Sequence, residues 1–298
     1  MSKINFGNFF EDFSIGQKIV HPLPRTISDG DVSLYIAFTG SRFALHSSDT
    51  VANEMGYEKK PIDDMLMFHL TFGKSVQDVS LNAIANLGYA EMSFPNSVFV
   101  GDTVSMTSTV IGLKENSNGK SGVVYVHSIG VNQNGDEVLN FKRWVMVHKK
   151  DHSTLSGVNE VPTFAKTTPI ADVINIPTIK TVDTDSSGGK YFFEDYVAGE
   201  RLNHPEGITI DNSDHTLATK LYQNNAKVHF NDHMMKSQLL WVKDLCMVES
   251  LFQWLELFLL MVYKMHNGYM LLIVELMQTL HMQVILFMHI LKLLKQLK

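Results

Sequence analysis

The chain has 298 residues and a formal net charge of −6, enough for two domains that each bury a core, and no run of basic residues exceeds two. That balance argues against a nucleic-acid surface. The single cysteine, Cys246, excludes an intramolecular disulfide and a cysteine-based zinc cluster and suits a reducing compartment.

The start, MSKINFGNFFEDF, lacks a charged region followed by an apolar run, so no secretory signal is read and the cytoplasm is the default. An aromatic-acidic segment and a turn at Gly16 open the chain. Thr26 to Asp31 is polar and leads into Val32-Ser33-Leu34-Tyr35-Ile36-Ala37-Phe38, whose spacing predicts a short helix. Pro61 followed by Ile62-Asp63-Asp64 reads as the start of a second helix, with proline early and carboxylates near the positive dipole end. Met65 to Gly73 is almost wholly apolar, which predicts a helix covered on both sides.

From Leu87 the pattern becomes strand-like. Thr103 to Val110 alternates, Asn116 to Gly119 turns, Gly122 to His127 is a strand, Asn132 to Asp136 turns, and Phe141 to Val147 is a strand. A buried helix with an antiparallel sheet around it is an α+β arrangement. The polar stretch between Lys149 and Lys190, including Gly188-Gly189, reads as a linker.

A repeat then appears. FFEDYVAGERLNHPEGITIDNSDHTLATKLYQNNAKVH, Phe192 to His229, lies without a gap on Phe9 to His46 at an offset of 183 residues. Identical pairs include the Phe-Phe-Glu-Asp run, Gly16/Gly199, His21-Pro22/His204-Pro205, Thr26-Ile27/Thr209-Ile210, Asp31/Asp214 and His46/His229. The expected domains are a first unit at 1–150, a linker at 151–190 and the start of a second unit at 191–238.

Residues 239–298 do not fit. These 60 residues hold 17 leucines against 13 in the preceding 238, with no alanine after Ala226 and no proline after Pro205. A membrane span is a poor reading, since Leu255 to Ile273 is broken by Glu256, Lys264, His266 and Asn267. An amphipathic helix lacks a clean polar face. A shifted reading frame fits better. Joining the last base of one codon to two of the next forces glycine at Trp241-Val242, Met247-Val248 and Met261-Val262. It likewise forces alanine at Met277-Gln278 and Met282-Gln283. Gly101-Asp102 plus the repeat offset predicts Gly-Asp at 284–285, and the shifted frame permits it there. The expectation is an out-of-frame tail at 239–298.

GNFFEDFSIGQKIVHPLPRTISDGDVSLY, SLNAIANLGYA, GDTVSMTSTVIGL, GVVYVHSIGVNQ, RWVMV and LYQNNAKVHFN resemble the MaoC-like double-hotdog hydratases, nearest to their mesaconyl-CoA hydratase subgroup. The resemblance covers 5–150 and 190–236 as written. It implies a tandem hotdog fold, each unit a long helix wrapped by an antiparallel sheet, with the second unit incomplete. It also implies an acyl-CoA thioester substrate, no cofactor, no metal, and water added or removed at a double bond conjugated to the thioester. No nucleic-acid or membrane partner is expected, and pairing into a homodimer is. The family motif is Asp followed five residues later by His; here Asn224 and His229 hold that spacing. Asn224 cannot act as a base, so proton transfer is assigned to His229 and orientation of water to Asn224. Donors to the thioester oxygen belong to a Tyr-Gly-Gly segment beyond residue 245 that exists only in the shifted frame.

Blander readings stand beside these. A histidine between Val228 and Phe230 is ordinarily a core residue. His46, paired by spacing with Ser41, is read as structural. His21 and His204 are read as turn residues. Asp211-Asn212-Ser213-Asp214 is read as a helix cap, and Lys142-Arg143 as solvated surface. The competing functions are a broader (R)-specific enoyl-CoA hydratase, a non-catalytic acyl-CoA-binding protein, and an inactive frameshifted fragment.

Overall fold

The computed structural model describes residues 6–165, 195, 197, 199–201, 212–231 and 233. The expected out-of-frame tail, most of the linker and His204 lie outside these residues. Strand β1 spans Lys18–Thr26, β2 Ala83–Ser93, β3 Thr103–Glu115, β4 Ser121–Val131, β5 Glu137–His148 and β6 Asn159–Glu160. They form one antiparallel sheet in the order β1-β3-β4-β5-β2, with β6 on β3. Helices α1 (Asp29–Thr39), α2 (Ala44–Ser47), α3 (Asp49–Glu54) and α4 (Asp64–Ser75) lie between β1 and β2, and a π-helical turn at Val76–Ser80 follows α4. No helix among the described residues is long and apolar enough to cross a membrane.

Helix α4 is the element the sheet wraps. Every residue from Met65 to Ser75 is buried, and Leu66, Met67 and Leu70 pack with Met106, Leu139 and Phe141 of the sheet. Its start differs from the expectation. Residues 61–63 are extended, because the Ile62 N–H is tied to the Val98 carbonyl at 2.8 Å. Asp63 is therefore the N-cap, accepting from the Met65 N–H at 2.8 Å, and Pro61 precedes the helix instead of opening it. Helix α1 opens on a capping box, with Ser28 and Asp31 each bonding the other's backbone N–H.

Two sequence readings are corrected by the sheet. His21 is not in a turn: it lies in β1 and is 2% exposed. Its Nδ1 meets Asp78 Oδ2 at 2.9 Å and its Nε2 meets Ser108 Oγ at 2.8 Å, with Ser128 Oγ 2.7 Å beyond. The irregularity that resembles a turn comes just after it, where the β1–β3 register shifts between His21 and Arg25 and Leu23 has φ +68°. Arg143 is not solvated surface either. It alternates in phase with Phe141 and Val145, so the pleat aims it inward, where it is wholly buried. Its guanidinium lies 4.6 Å from the Phe72 ring centre and donates to Ser75 Oγ at 2.9 Å. Lys142, out of phase, pairs with Glu91. Part of the linker region also touches the first unit, since β6 pairs with Leu113 and Lys114 and Phe164 stacks on Trp144 at 5.1 Å.

The described parts of the second copy reproduce the first at the same offset. Helix α5 (Asn212–Leu221) occupies the positions of α1. Gly16 and Gly199 have φ +85° and +87°. In the turn at each, two 3.0 Å bonds recur: Ser14 N–H to Gln17 Oε1 with Gln17 N–H to the Ser14 carbonyl, and Val197 N–H to Glu200 Oε2 with Glu200 N–H to the Val197 carbonyl. Gly40, which ends α1 at φ +69°, is matched by Gln223 at φ +55°.

Candidate active site

His229 closes a 3₁₀ turn, Lys227–His229, that matches α2 in the first copy. The turn is built by Asn224: its Oδ1 accepts from the Ala226 N–H at 3.0 Å and its own N–H donates to the Thr219 carbonyl at 3.1 Å. One lone pair of the Asn224 carboxamide oxygen is thus engaged by the backbone. What this residue can offer a bound water is its pair of Nδ2 donors and the second lone pair of Oδ1.

The ring of His229 faces a second imidazole. His215, on α5, lies 5.4 Å away between ring centres, tilted by 52°, and is buried. Burial is the main reason its pKa is pushed down to about 4; the charge His229 can carry adds to this, and a hydrogen bond to the His229 backbone opposes it. His215 is therefore a neutral imidazole beside the expected base. It was not singled out from sequence, although a comparison of the copies exposes it, since Val32 occupies the matching place.

The first unit provides the seat. His69 of α4 stacks on Tyr222 at 4.5 Å and 21°, and burial drives the His69 pKa down to about 3. Gly73, one turn on, touches the Tyr222 backbone so closely that a Cβ there would lie 1.9 Å from the carbonyl oxygen. Lys74 Nζ reaches Gln223 Oε1 at 3.5 Å, and Gln77 accepts from Asn225. From β1, Arg25 bonds Asp31 and donates to the Leu221 carbonyl at 2.7 Å. Residues 221–225, immediately ahead of the His229 turn, are held along one side by the first copy.

His46, the counterpart of His229, is placed otherwise. It is buried, its Nδ1 lies 3.0 Å from the Pro61 carbonyl, and its ring packs edge-on to Phe43 at 5.0 Å. Ser41 and His46 share the backbone positions of Asn224 and His229, but His46 braces the approach to α4. Helix α5 begins at Asn212, so Ser213 and Asp214 fall in its first turn; Asp211 is outside the described residues. Among the described residues no three His, Cys, Asp or Glu side chains converge as metal ligands would.

A family model described as mesaconyl-CoA hydratase matches residues 2–235. The chain is 51% identical over 235 residues to a beta-methylmalyl-CoA dehydratase of Chloroflexus aurantiacus, covering 78% of this chain and 67% of that one. It is 47% identical over 231 residues to a mesaconyl-CoA hydratase of Cereibacter sphaeroides, covering 77% and 67%. Among solved structures, a MaoC-domain protein from Chloroflexus aurantiacus superposes with a TM-score of 0.81 at 46% identity, over 87% of this chain and 75% of that one. A Mycobacterium tuberculosis protein with a double hotdog fold, at 20% identity and TM-score 0.59 over 83% and 77%, shares the fold alone. The helix wrapped by its antiparallel sheet is thus a hotdog of the MaoC-like kind, and the chain belongs to the mesaconyl-CoA hydratase family.

Proposed function

We propose that this protein is a hydro-lyase that adds water to, or removes it from, a double bond conjugated to a CoA thioester. The substrate pair we assign is mesaconyl-CoA and β-methylmalyl-CoA, as the names of its relatives suggest. The observation that carries the reading is the His229 turn: a histidine at the family spacing from Asn224, beside a neutral imidazole.

In the hydration direction, His229 takes a proton from water as the water oxygen bonds to the carbon β to the thioester. The π electrons move toward the thioester carbonyl, and His229 then delivers the proton it took to the α carbon, which quenches the enolate and returns the neutral imidazole. Asn224 holds the water through Nδ2, which replaces the second base of the wider family. In protein with the reading frame restored after residue 238, His229→Gln should lower kcat for mesaconyl-CoA hydration at least about 100-fold. Near-normal turnover would rule out the assignment.

We further propose that residues 239–298 are read out of frame. The composition break supports this, as does the family match, which stops at residue 235. Sequencing the gene across codons 234–242 tests it, and an uninterrupted frame there would overturn it.

A further inference from the structure

Among the described residues, the seam between α4 and the second copy carries a cation with no anion beside it. Lys74 sits in the last turn of α4 and is 7% exposed. Among the described residues its one hydrogen-bond partner is the neutral Gln223 Oε1 at 3.5 Å, although an ammonium has three donors to place. The neighbouring charges, Arg25 and Asp31, neutralise each other, and another Arg25 nitrogen is spent on the Leu221 carbonyl. Residues 221–226, Leu-Tyr-Gln-Asn-Asn-Ala, bring no carboxylate. The C-terminal end of α4 supplies only about half a negative charge, spread over its last carbonyls. Burial pushes the Lys74 pKa down to about 8, and Arg25 adds repulsion. An ammonium in this setting favours an incoming anion.

The chemistry of the proposed substrate says which anion. A dicarboxylyl-CoA carries a free carboxylate at the end opposite the thioester, and in mesaconyl-CoA that group is bonded to the carbon that receives water. A cation that reads it belongs close to the residue holding the water, and Gln223, the partner of Lys74, adjoins Asn224.

We propose that Lys74 is the specificity-determining residue that receives the free carboxylate of a dicarboxylyl-CoA. This rests on the hydratase reading above. A monocarboxylyl-CoA would leave Lys74 buried and unpaired, so the site rejects it as well as preferring the diacid.

The test is calorimetric titration of the 298-residue chain with methylsuccinyl-CoA and with butyryl-CoA, saturated thioesters that cannot be hydrated. Wild type should bind the diacid thioester roughly 30-fold tighter or more. Lys74→Met should bring the ratio of the two Kd values close to one, and Lys74→Arg should keep most of it; far-UV circular dichroism verifies that both are folded. A wild type without preference, or a Met variant that keeps it, overturns the proposal. If the Met variant does not fold, Lys74→Gln takes its place, with loss of the preference upholding the proposal and retention overturning it. Turnover of mesaconyl-CoA is measured separately, on protein whose reading frame is restored after residue 238. Preference without hydration sinks the hydratase reading and leaves the carboxylate site standing; hydration without preference does the reverse.

Discussion

Gly73→Ala sets two terms of opposite sign against each other. In a helix interior, alanine is favoured over glycine by about 1 kcal/mol, so on local grounds the variant should be the more stable protein. The seam opposes this. The added Cβ would lie 1.9 Å from the Tyr222 carbonyl oxygen and 3.1 Å from its carbon, both backbone atoms that no rotamer change can clear. Restoring an ordinary C···O contact of about 3.3 Å moves α4 and residues 221–225 apart by roughly 1.4 Å. Overpacking of that kind costs about 1–3 kcal/mol, so the variant should be destabilised by about 1 kcal/mol net. The effect on rate should be larger, because a misplacement of about 1 Å at a reacting group can cost about 100-fold. The assays are denaturant unfolding and kcat for mesaconyl-CoA hydration on the same preparations of protein with the reading frame restored after residue 238. An alanine variant that is more stable than wild type and turns over normally would show that α4 does not seat the His229 turn.

His69→Phe keeps the stacking on Tyr222 and removes a titrating group. Because the folded-state pKa of His69 is depressed to about 3, its contribution is present above pH 6.5 and lost as pH falls toward 3. Between pH 7 and 5, wild type should lose about 2 kcal/mol relative to the Phe variant, measured by urea unfolding at each pH, and parallel curves would refute the burial argument. His215→Val installs the residue of the first copy; kcat should fall about 10-fold or more with KM little changed, and the acid limb of the kcat–pH profile should move. An unaltered profile would reduce His215 to packing.

The parts of the fold that follow a period were legible in the sequence. Val104, Met106, Ser108 and Val110 turn inward in alternation with their neighbours on β3, and α4 is buried all round as its apolar run requires. Arg143 was legible by the same rule, since its charge is the only argument against the phase it shares with Phe141 and Val145. What escaped depends on partners far along the chain. His21 is buried while the apolar Val20 and Leu23 beside it are exposed, because β1 loses register around its two prolines. The pairing of Asn159–Glu160 is too short to have a period. In the candidate site, His229 and Asn224 came from motif spacing, whereas His69, Gly73, Lys74 and Gln77 lie about 150 residues from what they touch and carry no local signal of it.

Duplication explains how the two copies divide the work. At 40/223, 41/224 and 46/229 the matched backbones turn alike, with a left-handed residue after the helix and a short helical turn behind it. The side chains differ. The first copy ends α1 on glycine, which adopts φ +69° without strain, and ties its histidine to the Pro61 carbonyl at the approach to α4. The second places Gln223 in the same left-handed region, at a cost of about 1 kcal/mol, and that glutamine is the partner of Lys74. A non-glycine residue held there persists only when surrounding contacts over-determine it, and here α4 and Arg25 supply them. The division of labour follows from this. On the proposed function, the second copy contributes His229, Asn224 and His215, and the first contributes the helix against which residues 222–225 are seated, so substitutions on α4 should impair turnover without touching a reacting group.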